Sequence, residues 1–239
     1  MKGMKTRGPT VINAEAWMAE LLPQLQQAFG ARLCYLGLQG SYRRGEATES
    51  SDIDVVVLLE SVGLDDLDTY RSIVRAMAEG QKACGFFCSV ADMLSWPRHE
   101  LFAFQKDTAD YYGKLENFLP VISINDAAES ARIGASGLMH LLTHSYLYAA
   151  EDDRPMILQQ AYKAAFFVMQ VHKCVETGVY CRSRSQLMSR LDGADKEIIS
   201  AGIDVSQWLA SHSQRECFAT LMRWCSTIVQ AASKYPGAE

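Results

Sequence analysis

A chain of 239 residues is long enough to bury two modest cores, and 49% hydrophobic with 21% charged residues excludes a largely disordered protein. A formal net charge of −5 offers no general attraction for nucleic acid, which argues against duplex DNA as a partner. No apolar run reaches membrane-spanning length, and the basic start (Lys2, Lys5, Arg7) leads into no apolar signal core, so a cytoplasmic protein with no membrane partner is expected.

Seven cysteines without a C-x-x-C pair, mostly inside apolar segments, read as buried free thiols. From Asn13 to Phe29, Trp17, Leu21, Leu22, Leu25 and Phe29 recur at helical spacing, and Pro23 predicts a kink or a break. A buried strand is expected from Arg32 to Gln39, a tight turn at Gly40 and a polar loop from Tyr42 to Ser51. A Val-rich strand follows from Ile53 to Leu59, then a helix from Leu64 to Ala78. A third strand is expected at Gly85 to Val90, a helical piece at His99 to Gln105 and a fourth extended segment at Asp107 to Leu115.

From Ser123 the pattern turns wholly helical, opening on the capping-box candidate Ser123 to Asp126. Helices are predicted over Asp126 to Ala149, Pro155 to Thr177, Arg184 to Leu191, Asp195 to Ala201 and Ser213 to Lys234. The fold class expected is an α/β (α+β) domain with a small mixed sheet over residues 1–122, followed by an all-α bundle over 123–239.

The stretch that carries chemistry is Gly37-Leu38-Gln39-Gly40-Ser41, followed after ten intervening residues by Asp52-Ile53-Asp54. Glycine lets a backbone approach phosphate closely, and the Ser41 hydroxyl and neighbouring N–H groups can bind its oxygens. Strand side chains alternate, so Asp52 and Asp54 point the same way and can share a hard divalent cation such as Mg²⁺. Arg44 has the fork geometry for a phosphate, and Ser51 sits beside the first aspartate; a solvated loop is the competing reading for both.

A Gly-Ser turn after a strand, then Asp-x-Asp opening a Val-rich strand, resembles the nucleotidyltransferase superfamily related to polymerase β. The resemblance implies that Gly40 and Ser41 hold the triphosphate and that Asp52 and Asp54 are metal ligands. It also implies a third carboxylate on a later strand, completing the metal site or acting as general base. Gly85 to Val90 contains no acid; Asp92 and Asp107 are the nearest candidates, and Asp107 is preferred as the start of an extended segment.

The helical half resembles fused nucleotidyltransferase–HEPN proteins, and antibiotic adenylyltransferases share the two-domain layout. A HEPN ribonuclease needs Arg, four to six residues, then His; Arg132 and His140 are seven residues apart in between, so no ribonuclease activity is expected. Lys163, flanked by Ala161, Ala164, Ala165, Phe166 and Phe167, either reaches a nucleotide phosphate in an interdomain cleft or snorkels from an apolar surface. The acidic run Glu151 to Asp153 either attracts a cationic acceptor or is a solvated helix end. His140 and His144, four apart, lack a third ligand and read as core or interface histidines; Tyr146, Tyr148, Phe166 and Phe167 read as bundle packing.

Together these readings predict a Mg²⁺-dependent transfer of a nucleoside monophosphate, AMP from ATP, to an acceptor hydroxyl with release of pyrophosphate. The acceptor is open between a small molecule, a protein side chain and an RNA end, and the apolar helices of the C-terminal half leave a homodimer open as well. The competing class is a catalytically weak nucleotide-binding or regulatory module, as in toxin–antitoxin systems.

Overall fold

The computed structural model describes residues 11–235, which form two compact units. The first comprises the chain up to Pro97 together with Asp107–Pro120; the second comprises Arg98–Lys106 and the chain from Val121 onward. A boundary drawn at 122/123 from sequence differs from this division chiefly in the segment Arg98–Lys106.

The first unit opens on helix α1 (Ala14–Phe29), capped where the Asn13 side chain accepts the Ala16 N–H at 3.1 Å. The expected break at Pro23 does not occur: α1 is continuous. Pro23 lies on the exposed face, as does Ala19, whose carbonyl loses its helical donor, so water can satisfy it. The opposite face, Trp17, Met18, Leu21, Leu25 and Phe29, is buried and holds the helix in place. Each such side chain contributes about 1.5–3 kcal/mol when fully buried.

Strand β1 (Leu33–Gln39) leads directly into a short helix, α2 (Gly40–Arg44). The sequence predicted a loop beyond Tyr42. Instead one helical turn forms, closed by Gly45 at φ 72°, whose N–H reaches the carbonyls of Ser41 and Tyr42. Strand β2 (Ile53–Leu59), helix α3 (Leu64–Ala76), strand β3 (Ala83–Ser89) and helix α4 (Val90–Ser95) follow. Helix α4 was not foreseen; Ser89 caps it by accepting the Asp92 N–H at 3.1 Å. Helix α5 (Arg98–Asp107) then precedes strand β4 (Ala109–Tyr112).

The sheet runs β3-β2-β1-β4, with β2 and β3 parallel and the other pairs antiparallel. The expected strand from Asp107 to Leu115 is thus shorter, and Asp107 ends a helix rather than opening a strand. One face of the sheet packs on α1 and α3 through Leu36, Leu38, Ile53, Val55, Val57 and Leu59. Alternation therefore turns Asp54, Val56 and Leu58 to the opposite face.

The second unit is all helical: α6 (Ile124–Tyr148), α7 (Arg154–Thr177), α8 (Arg184–Met188), α9 (Gly193–Ala201), α10 (Val205–Ser211) and α11 (Gln214–Ala232). The capping box at Ser123 and Asp126 forms as the sequence suggests, with Asp126 Oδ2 accepting the Ser123 N–H at 2.6 Å. Its main core joins α6, α7 and α11 through Leu138, Leu142, Leu158, Tyr162, Phe166, Phe218 and Leu221. Gly178, at φ 73°, stops α7. Within this unit Phe102 of α5 packs with Ala127, Ala131, Val171 and Cys174. No helix among the described residues is long and apolar enough to cross a membrane.

The cysteine expectation needs adjustment. All seven are free and five are buried, but Cys34 is half-buried and Cys84 is exposed on β3. His140 and His144 are also exposed, not in the core, with ring centroids 6.2 Å apart. Phe166 and Tyr146 do pack in the bundle, whereas Tyr148 is 74% exposed.

Candidate active site

Antiparallel pairing brings the end of β1 beside the start of β2, so that Gln39 is level with Asp54. Gly40 is the next residue, at φ 71°, with its backbone directly against the Asp54 carboxylate. A methyl group in place of its hydrogen would overlap Asp54 Oδ2, so any other residue would displace that side chain as well as strain the turn. The turn that could hold phosphate and the carboxylate that could hold a cation are thus in contact. Asp52 stands two residues before Asp54, just outside the strand, and is exposed.

On the other side of β1, Leu38 is level with Ala109 of β4. One residue further along, Gln39 Nε2 donates to Thr108 Oγ1 at 2.6 Å. Asp54, Gln39 and Thr108 form a row across three strands, spanning about 10 Å. Asp107 adjoins the end of that row. Its Oδ2 is 3.8 Å from Arg44 Nη1, while Arg44 Nε donates to Glu46 Oε2 at 3.2 Å. Arg44, Glu46 and Asp107 therefore form one charged group beside the turn, with the Arg44 and Asp107 side chains each only 12% exposed.

Asp92 is placed differently. Cys84 is the β3 residue level with Asp54, and Ser89, where Asp92 bonds at 2.6 Å, lies five residues further along. That is about 16 Å from Asp54 along the strand. Of the two candidates for a third carboxylate, only Asp107 stands at the Asp54 end.

Ser51 is brought to the same end, but its Oγ accepts the Thr48 N–H at 2.9 Å and so organises the loop. Lys163 belongs to the second unit, exposed on α7. Its apolar sequence neighbours Tyr162, Ala165 and Phe166 are buried on the other side of the helix, so the apolar setting is helix periodicity and not a buried charge. Arg132 is bound to Glu129 at 2.8 Å through Nε. The acidic run Glu151–Asp153 is an exposed turn, with Glu151 3.5 Å from Arg154.

Sequence reasoning missed Glu46 and Thr108. Glu46 follows Arg44 by two residues, a local signal; Thr108 is found only through the pairing of β4 with β1.

The donor set fits Mg²⁺, which takes one or two carboxylates plus substrate phosphates in preference to an all-protein cage. No group of three or more His, Cys, Asp or Glu residues suited to a metal occurs among the described residues.

Residues 19–119, which lie in the first unit except for Arg98–Lys106, match the family model of the nucleotidyltransferase domain. Among solved structures, the chain is similar in fold to spectinomycin adenyltransferase AAD(9) from Enterococcus faecialis, determined with ATP and spectinomycin. That similarity has a TM-score of 0.54 at 14% identity, over 91% of this chain and 100% of the other. The shared fold joins a nucleotidyltransferase domain to a helical C-terminal region. No curated protein matches the sequence.

Proposed function

We propose that the chain transfers AMP from ATP to an acceptor hydroxyl, releasing pyrophosphate. The observation that supports this reading is the Gly40 backbone packed against the Asp54 carboxylate, which puts the turn proposed to hold phosphate beside one of the two acids proposed to hold the cation. In this proposal Gly40 and Ser41 hold the triphosphate through N–H groups and the Ser41 hydroxyl. Asp52 and Asp54 hold Mg²⁺, which neutralises charge on the phosphates. Arg44 turns from its carboxylates to a phosphate oxygen, and Ser51 keeps the loop before Asp52 in shape. Lys163 enters only as an exposed charge on α7 available to an anion.

The acceptor oxygen forms a bond to the α-phosphorus as the bond from that phosphorus to the β-bridging oxygen breaks. The electron pair leaves with pyrophosphate, and the acceptor proton passes to a base, for which Asp107 is our candidate. Functionally we take residues 1–122 as the catalytic domain and 123–239 as a helical domain that bears on the acceptor.

The test is transfer of label from α-phosphate-labelled ATP to candidate acceptors in the presence of Mg²⁺, comparing wild type with Asp52→Asn. Loss of transfer in the variant is expected; equal transfer would defeat the assignment. Nucleotide binding without turnover would favour the regulatory module, which the lack of an acid on β3 beside Asp54 supports.

A further inference from the structure

If Gly40, Ser41 and the two aspartates hold a nucleoside triphosphate, as proposed above, the sheet also fixes the side from which the acceptor arrives. Gly40 abuts Asp54 from the β1 side, and β3 flanks β2 on the other side. In phosphoryl transfer the attacking and leaving oxygens are roughly in line. With the leaving pyrophosphate over β1 and α2, the acceptor oxygen comes from over β3.

What stands there is aromatic. Ala83 and Phe87 pack with the α1–α3 face of the sheet, so Phe86 between Gly85 and Phe87 projects from the same face as Asp54. Phe86 is level with Val56, one strand across and two residues along from Asp54, about 8 Å between Cα positions. The Trp96 ring meets it edge-on, with centroids 5.1 Å apart at 84°, and Trp96 remains 36% exposed. The β3 residue level with Asp54 is Cys84 rather than an acid, and Asp92 is at the far end of the strand. The β3 side thus offers ring surface.

We propose that Phe86 and Trp96 form the acceptor wall, and that the acceptor is a hydroxyl compound carrying a planar ring. Edge-to-face aromatic pairs favour a further ring by the same quadrupole geometry that joins them.

The test uses p-nitrophenyl β-D-glucopyranoside as the probe, because its ring quenches tryptophan fluorescence, with methyl β-D-glucopyranoside as the ring-free control. Saturable quenching is expected in wild type and is lost in Trp96→Phe, which separates Trp96 from Trp17, Trp208 and Trp224. Phe86→Ala raises the dissociation constant about tenfold, the scale of one lost stacking partner. Should that variant fail to fold, Phe86→Leu keeps most of the volume and removes the ring. Absence of saturable quenching, unchanged quenching in Trp96→Phe, equal affinity in the Phe86 variant, or equal displacement by the control each overturns the proposal. The two readings fail separately. If Asp52→Asn still transfers label, the nucleotidyltransfer assignment falls while the fluorescence result stands by itself.

Discussion

At one end of the sheet β1 hands over to α2 while β2, β3 and β4 begin; at the other, β1 begins while β2 and β3 end at Leu59 and Ser89. Both ends carry acids, but their partners differ. At the far end Asp66 binds Arg32 at 2.7 Å and caps α3 by accepting the Gly63 N–H at 2.9 Å. The Arg32 hydrogen bond holds the Asp66 carboxyl below its usual range. Asp92 is likewise tied to Ser89. At the near end Asp54 faces a glycine that leaves it room, and Asp107 shares Arg44 with Glu46. The contrast teaches that an acid's partners follow from the end of the sheet it occupies, which its distance along the chain does not reveal.

The strongest way to break this contrast is Asp54→Asn. Transfer is expected to fall by more than about a hundredfold, beyond the loss typical of outer-shell metal changes, while the melting temperature stays near wild type. Gly40→Ala comes next. The left-handed backbone and the overlap with Asp54 cost about 1–3 kcal/mol in stability, read by urea denaturation, and weaken binding of a non-hydrolysable ATP analogue in calorimetry. A pair of variants sharpens the comparison directly: Arg44→Ala raises KM for ATP about tenfold, whereas Asp92→Asn at the far end leaves kcat and KM unchanged. Equal effects from the two would erase the distinction between the ends.

The smallest effect concerns the second unit. His172 is 4% exposed on α7, and burial lowers its pKa despite Glu176, whose Oε1 is 3.3 Å away, and Asp195; Lys173 adds to the lowering. Because the folded value lies below the unfolded one near 6.5, the unfolded chain takes up the proton first as pH falls. Stability is therefore full above about pH 6.5 and declines as pH drops toward the folded value. A fall in melting temperature of about 2–4 °C between pH 7 and 5 is expected, reduced in His172→Gln. Identical pH profiles would remove His172 from the account.

The parts of the near end that were legible in sequence are those set by short spacing. Gly40 follows a strand and Asp52 and Asp54 alternate along the next one, so two local patterns sufficed to align them. Asp107 was less legible. Its position depends on β4 pairing with β1, some 70 residues apart in the chain, as the Gln39–Thr108 bond shows. Helices α4 and α10 were missed although Ser89 with Asp92, and Asp204 with Gln207, form N-terminal caps visible in the sequence. Both helices are short, and a periodicity test has little to count there. At Lys163 the apolar sequence neighbours say little about its surroundings, because on a helix the next residue faces about 100° away, and the side chain is exposed.

The Arg44 cluster has a consequence for how a nucleotide is admitted. Asp52, Asp54, Glu46 and Asp107 bring four carboxylates to this end of the sheet, and Arg44 is already engaged by two of them. A bare triphosphate approaching that surface meets net repulsion. On the proposed function, then, nucleotide capture is gated by charge: the anion is expected to enter accompanied by a divalent ion, so its apparent affinity rises with the concentration of that cation.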